Sequence, residues 1–202
     1  MALPAAVGSV LRYATAVIAL LVAAHWLEGG LPRLTRRQVI GTLLLGATGI
    51  FAYNLFFLGA LARLPASRTS LIIALNPVVT IAAASLLLGE RLSARRWLGV
   101  VIALLGVWIV VSRGDVLGSV RGAVGIGELL MFGGVCSWAA YTLLGRRVLA
   151  GLSPLAATTY AALWGLVLLA IAAAPDMLDL GRSAFTLPVV LSVLYLGVMG
   201  TS

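Results

Sequence analysis

Long apolar runs, broken by short polar stretches rich in glycine, proline and arginine, organise the whole chain. The runs fall at Pro4–Leu27, Val39–Leu61, Ser67–Leu88, Ala94–Val111, Gly127–Leu144, Pro154–Ala174 and Leu187–Ser202. An α-helix rises 1.5 Å per residue, so about 20 apolar residues cross a hydrocarbon core about 30 Å thick. The pattern therefore predicts six full membrane spans and a seventh cut off by the chain end. The breaks carry the expected punctuation: Gly29-Gly30-Leu31-Pro32, Arg63-Leu64-Pro65, Arg113-Gly114-Asp115 and Pro175-Asp176. This is the outline of an all-α polytopic membrane protein.

Composition narrows the picture to lipid as the solvent. Hydrophobic residues make up 62% of the chain and charged residues 10%, whereas a soluble domain carries about 25% charge. Mean hydropathy is +1.13. The net charge of +8 comes from arginine, with no lysine in the chain. These arginines sit in short clusters between spans, which is how topology signals are placed and not how a nucleic-acid face is built. The single cysteine, Cys136, cannot close an internal disulfide. The first positive charge, Arg12, follows an apolar start, so the first run reads as a mature helix and not as a signal peptide.

Alternate loops differ in arginine. One side collects Arg33, Arg36, Arg37, Arg91, Arg95, Arg96, Arg146 and Arg147; the other collects Arg63, Arg68, Arg113, Arg121 and Arg182, with Asp115, Asp176 and Asp179. The richer side is expected to face the cytoplasm, which puts the amino terminus outside. In a Cys136→Ser background, cysteines introduced at Arg36 and Asp115 should react with an impermeant maleimide from opposite faces of the membrane. Labelling of both from one face would overturn this topology.

The chain also repeats itself. Leu43-Leu44-Leu45-Gly46-Ala47-Thr48-Gly49 returns as Leu194-Tyr195-Leu196-Gly197-Val198-Met199-Gly200. Pro4 and Pro154 are 150 residues apart, and Gly46 and Gly197 are 151 apart. The copies fall in the second and seventh runs, five crossings apart, and an odd offset inverts the second relative to the first, the construction of many secondary transporters. Extending the correspondence to both ends implies ten helices in two inverted five-helix repeats. On that count residues 1–111 are a first repeat without its first helix, and residues 125–202 are a second repeat cut within its third. The sequence is then expected to be a fragment, because a chain end inside a span would leave helix-end carbonyls in hydrocarbon.

One stretch carries a family likeness. The run ASRTSLIIALNPVVT from Ala66 to Thr80 leads into Leu87-Leu88-Gly89-Glu90-Arg91-Leu92-Ser93, then Trp97-Leu98-Gly99-Val100 and Leu105-Gly106-Val107. With Leu11-Arg12-Tyr13, Gly127-Glu128-Leu129-Leu130 and Ser137-Trp138-Ala139, this ordered set resembles the EamA-type transporters of the drug/metabolite transporter superfamily. The resemblance covers nearly the whole chain, as helices two to eight of ten. It implies a multi-pass protein of the cytoplasmic membrane of a prokaryote that moves small metabolites, without naming the solute.

Several residues are candidates for the transport path, each beside a plainer reading. Arg12 lies about 12 Å along its helix. An arginine near the bilayer centre costs about 2.5–3.5 kcal/mol, so it either faces a wet cavity that could hold an anionic group or snorkels to the interface. Asn76-Pro77 sits near the middle of the third span. Proline there frees the carbonyl of Ile73 and kinks the helix, offering freed backbone groups and an amide to a solute. The plainer reading is a packing kink with Asn76 bonded to a neighbour. Tyr53 and Asn54 lie mid-span; Trp138 and Tyr141, and Tyr160 and Trp164, pair by spacing on one helix face each. These suit either an aromatic cavity or ordinary packing. Glu90 and Arg91, at the end of the third span, read as a local charge pair or as a gate. Glu128 favours its helix start electrostatically, and His25 reads as an interface anchor. Gly46, Gly49, Gly197, Gly200, Gly133 and Ser137 read as small surfaces for close helix packing.

Catalysis is not expected. One His and one Cys cannot supply a metal cluster, no span carries paired acids, and no G-x-S-x-G elbow occurs. No cofactor or metal is implied. The expected partners are a small-molecule substrate, the lipid bilayer and, as an option, a second copy in a homodimer. The leading expectation is a secondary transporter working by alternating access, in the efflux direction. The alternative is a non-transporting or non-functional membrane fragment or subunit derived from one. No acidic residue stands clearly mid-span, so uniport, exchange and ion coupling all stay open.

Overall fold

The computed structural model describes residues 5–89, 92–111, 125–148 and 151–178, and these form helices without strands. The elements are α1 (Ala5–Glu28), α2 (Arg36–Leu45), a π-helical stretch (Gly46–Ala52), α3 (Tyr53–Leu61), α4 (Ala66–Ile73), α5 (Asn76–Leu88), α6 (Ala94–Val111), α7 (Ile126–Val148) and α8 (Pro154–Leu178). Among the described residues, five helical stretches are long and apolar enough to cross a membrane: Ala5–Glu28, Arg36–Leu61, Ala66–Leu88, Ile126–Val148 and Pro154–Asp176. Helix α6 occupies the place of the fourth expected span with the same limits. The seventh expected span, and with it the second copy of the Leu-Leu-Gly repeat, lies outside the described residues.

Local chemistry explains where the helix limits depart from the apolar runs. The second helix starts at Arg36 and not Val39 because Thr35 and Gln38 form a capping box. The Thr35 amide donates to Gln38 Oε1 at 2.9 Å, and the Gln38 amide donates to Thr35 Oγ1 at 3.4 Å. Helix α7 runs past Leu144 to Val148, since Arg146 and Arg147 are good helix formers and stabilise a helix C-terminus as cations. The connector expected at Pro175-Asp176 is a correction: α8 continues through Pro175 to Leu178. A proline deletes one backbone donor, and a helix in lipid tolerates this where it can be re-satisfied locally.

The third span breaks where Asn76-Pro77 predicts. The amide of Ala74 still bonds Ser70 O at 3.1 Å, but that of Leu75 tightens onto Ile72 O at 3.0 Å. Helix resumes with the Val79 amide on Leu75 O at 2.8 Å. Pro77 lacks the amide that would have claimed Ile73 O, and it sits in the first turn of α5, where that loss is harmless. Gly89 ends α5 in the left-handed region at φ 69°, a conformation that a Cβ disfavours.

The π-helical stretch coincides with the glycines of the first repeat copy. There the Thr48 hydroxyl donates to Leu44 O at 2.7 Å, placing a side-chain donor in the backbone ladder. Such insertions are an identifiable cause of local helix distortion.

The chain divides into two compact units, one of residues 52–143 and one from the stretches that flank it. In the flanking unit α1 and α2 pack against α8. Its core joins Val10, Leu169 and Ala173, with Tyr13, Ile50, Phe51 and Leu166 around them. Buried alanines on α1 (Ala16, Ala24) and α8 (Ala156, Ala157, Ala161, Ala162) let backbones approach closely, as membrane helices do. Gly46 is packed directly against main chain. A Cβ there would stand 2.5 Å from Ala161 O and 2.8 Å from Gly165 N, so only glycine fits.

In the central unit α4 packs on α3 and α6, and α5 on α6. The core gathers Ala60, Ile72, Leu75, Met131 and Val135, with Tyr53, Phe57, Val78, Val79 and Val107 packed against them. Large apolar side chains point outward, Leu86 and Leu87 at 75% and 73% exposure. Surfaces of this kind are unusual in water and ordinary against lipid.

Loops expected on one membrane side meet each other. Gln38 Nε2 donates to Gly151 O at 3.1 Å, Ser153 Oγ to Glu28 Oε2 at 2.8 Å, and Tyr160 OH to Pro32 O at 2.7 Å. They tie the first loop and the helix ends beside it (Glu28, Pro32, Gln38) to the loop before α8 and to α8 itself (Gly151, Ser153, Tyr160), segments expected on the arginine-rich side. In the central unit, Arg63 and Leu64 crowd Gly127 at the start of α7. Both of those lie in segments expected on the opposite side.

Candidate substrate site

The central unit brings together most of the aromatic and amide candidates. Tyr53 stacks on Phe57 at 6.0 Å between ring centroids, nearly parallel at 6°. Its other neighbour is Trp138 at 5.4 Å and 54°, and Trp138 in turn meets Tyr141 at 5.3 Å and 41°. Helices α3 and α7 thus share a continuous aromatic wall, with Trp138 partly open at 37% exposure. Asn54, next to Tyr53, is buried at 3% exposure. Close approach at the wall is possible because Gly133 faces the Phe56 ring and Gly134 lies beside Met131 and Phe56.

Asn76 stands at the helix break, flanked by Ile72, Leu75, Val78 and Val79, which pack in the same core as Tyr53. Its Oδ1 is buried and has no hydrogen-bond partner among the described residues. A buried acceptor left unmet costs about 1–3 kcal/mol. Pro77 is exposed on the far side of the break. The helix has therefore given up regular hydrogen bonding here and presents an amide oxygen that nothing among the described residues satisfies.

The flanking unit holds the remaining described candidates. Arg12 is half-buried; its Nη2 donates to Tyr13 OH at 3.2 Å, and its guanidinium carbon lies 4.8 Å from the centre of the Tyr13 ring. Tyr160 turns its hydroxyl to the Pro32 carbonyl, and Trp164 Nε1 is buried without a partner among the described residues. The spacing that put Tyr160 and Trp164 on one face did not reveal these separate environments. The gate candidates Glu90 and Arg91 lie outside the described residues.

One pairing escaped sequence reasoning. Arg68 Nη1 meets Glu128 Oε1 at 3.0 Å, with the side chains 16% and 8% exposed. The other carboxylate oxygen of Glu128 accepts from the Gly125 amide at 3.0 Å, capping the start of α7. Glu128 also borders an apolar recess of about 270 Å³ that Trp108, Phe132 and Leu104 line. By sequence position alone Arg68 reads as a loop charge and Glu128 as a helix-start charge. The usable signal was an acid in the first turn of an apolar span, which needs a cation wherever it is buried.

Outward apolar surfaces, helices of membrane-crossing length and a helix broken beside an aromatic wall define a multi-pass α-helical membrane protein. The profile of the EamA-like transporter family matches residues 3–112 and 125–202, and the chain belongs to that family. It is 32% identical over 191 residues to the uncharacterised transporter YyaM of Bacillus subtilis (strain 168), covering 94% of this chain and 59% of that protein. It is 33% identical over 106 residues to a protein of Streptantibioticus cattleyicolor named a probable terminal-alkyne amino-acid exporter, covering 52% of this chain and 35% of that protein. A solved crystal structure superposes with a TM-score of 0.64 at 25% identity, over 98% of this chain and 66% of the other. The chain thus spans well under two thirds of the length of these sequence relatives.

Proposed function

We propose that the chain works as a secondary transporter of the cytoplasmic membrane of a prokaryote, carrying a small amphipathic metabolite outward by alternating access. The observation that carries this reading is Asn76. A desolvated amide oxygen at a helix break, beside an aromatic wall, is what a transporter needs to recognise a solute with an apolar body and a hydrogen-bond donor. An amino-acid-like solute has that shape, and the relative named as an amino-acid exporter points the same way. The ten-helix inverted-repeat plan, with six full spans and one partial span in this chain, belongs to the same reading. Arg12, held against Tyr13, is the cation offered to a carboxylate in the flanking unit. Glu90 and Arg91 keep their place as gate candidates.

Counterflow of labelled amino acids and small amphipathic metabolites in proteoliposomes tests the reading. Asn76→Leu and Trp138→Ala should each slow exchange of the accepted solute about tenfold, the effect of losing roughly one polar contact or stacking surface. Ile18→Ala, on an outward surface at 62% exposure, should leave it unchanged. Unaltered exchange in both site variants would remove the assignment.

A further inference from the structure

The flanking unit holds a concave site of its own, and its lining has a different chemistry from the aromatic wall. It is a cavity of about 410 Å³ between the start of α2 and the end of α7, within the size range of small-molecule sites. Arg37 reaches it from α2 and Arg147 from α7. Both guanidinium groups are exposed, and neither has an ion-pair partner among the described residues. Among the described residues no acidic side chain lines the cavity. The neutral polar groups on its wall are already engaged: Thr35 and Gln38 cap α2 with one another, and Gln38 Nε2 is held by Gly151 O. What is left to receive a ligand is a pair of arginine forks, a geometry that suits phosphate oxygens.

Below the arginines the lining turns apolar. Arg37, Ile40 and Leu44 are three and four residues apart in succession, so they form one stripe along α2. Leu44 lies about 10 Å further into the span than Arg37 at 1.5 Å per residue. Ile40 and Leu44 are 59% and 44% exposed along this stripe, and Val148 closes it from α7. A charged mouth above an exposed hydrocarbon track matches a molecule with an anionic phosphate at one end and an alkyl chain at the other.

We infer that the cavity between α2 and α7 binds a phosphate-bearing anion through Arg37 and Arg147, the apolar stripe favouring a glycerophospholipid over free phosphate. The headgroup phosphate sits between the two guanidinium groups and an acyl chain runs past Ile40 and Leu44. Basic pockets between membrane helices on the cytoplasmic side are a recurrent form of lipid site. The arginine-rich loops place this one on that side. The inference concerns lipid binding and stands apart from solute transport.

Native mass spectrometry of the purified chain, titrated with palmitoyl-oleoyl phosphatidylglycerol, phosphatidylcholine or inorganic phosphate, tests it. Wild type should retain one phosphatidylglycerol in preference to phosphatidylcholine, and Arg37→Gln with Arg147→Gln should weaken that retention about tenfold. Arg95→Gln with Arg96→Gln removes the same charge elsewhere and should retain the lipid as wild type does. The single variants R37Q and R147Q, each with a partial loss, carry the test if the double variant does not purify. Arginine-dependent binding of inorganic phosphate without lipid would uphold the site and assign it to a soluble anion. Equal phosphatidylglycerol retention in wild type and the R37Q/R147Q variant would overturn the inference, as would an equal loss in the R95Q/R96Q variant.

Discussion

Glu128→Leu is expected to destabilise the chain by about 3–5 kcal/mol, the cost of removing one partner from a buried ion pair. The reason lies in what the substitution leaves behind. Arg68, 16% exposed, keeps its charge at a site that has lost the opposing carboxylate 3.0 Å away. The Gly125 amide also loses the acceptor that caps α7. Glu128→Gln retains an acceptor for that amide and should fall between wild type and the leucine variant. Arg68→Met combined with Glu128→Leu should recover much of the loss, because a pair of buried charges replaced together by apolar groups costs little. Unfolding of wild type, Glu128→Leu, Arg68→Met and the double variant in mixed micelles, followed by circular dichroism, gives the four corners of the cycle. A leucine variant within about 0.5 kcal/mol of wild type, the range of most surface changes, would show that the pair is solvated and structurally idle.

Gly46→Ala should cost about 3 kcal/mol, at the upper end for overpacking. The added methyl meets main-chain atoms, Ala161 O at 2.5 Å and Gly165 N at 2.8 Å, and a helix backbone cannot step aside as a flexible side chain does. Gly165→Ala is the reciprocal test, since its Cβ would stand 2.5 Å from Ile50 Cβ and Cγ2. Gly8→Ala is the control. Nothing lies within 4 Å of its Cβ position, and alanine is the better helix former, so stability should be unchanged or raised. Comparable midpoints for Gly46→Ala and Gly8→Ala in the same unfolding assay would refute close packing at Gly46.

What the sequence disclosed follows from which interactions are local. Apolar runs located the helices because hydrocarbon length is a one-dimensional constraint, and α6 has the limits its run predicts. The break before Asn76 was legible because proline acts on its own turn. By contrast, the Arg68–Glu128 pair joins residues 60 apart in the sequence, and no pattern in either segment announces the other. The same holds for Tyr160 and Pro32, separated by 128 residues. The π-helical stretch has no residue signature beyond Gly46, Thr48 and Gly49, which also read as packing residues. The aromatic candidates were half legible. Spacing placed Trp138 beside Tyr141, while the contact of Trp138 with Tyr53 needed the fold.

The division of the chain into units also bears on how it is made. The central unit is one continuous segment, 52–143, whereas its neighbour is assembled from residues up to Phe51 and residues from Leu144 onward. Three hydrogen bonds that close the split unit span 113, 125 and 128 residues. A ribosome delivers sequence in order, at about 5–20 residues per second. The first helix pair must therefore wait several seconds in the bilayer, its alanine faces and Gly46 uncovered, until α8 emerges. The middle of the chain needs no such delay. Synthesis order thus leaves the α8-facing surfaces of α1 and α2 open to pairing with other chains for that interval.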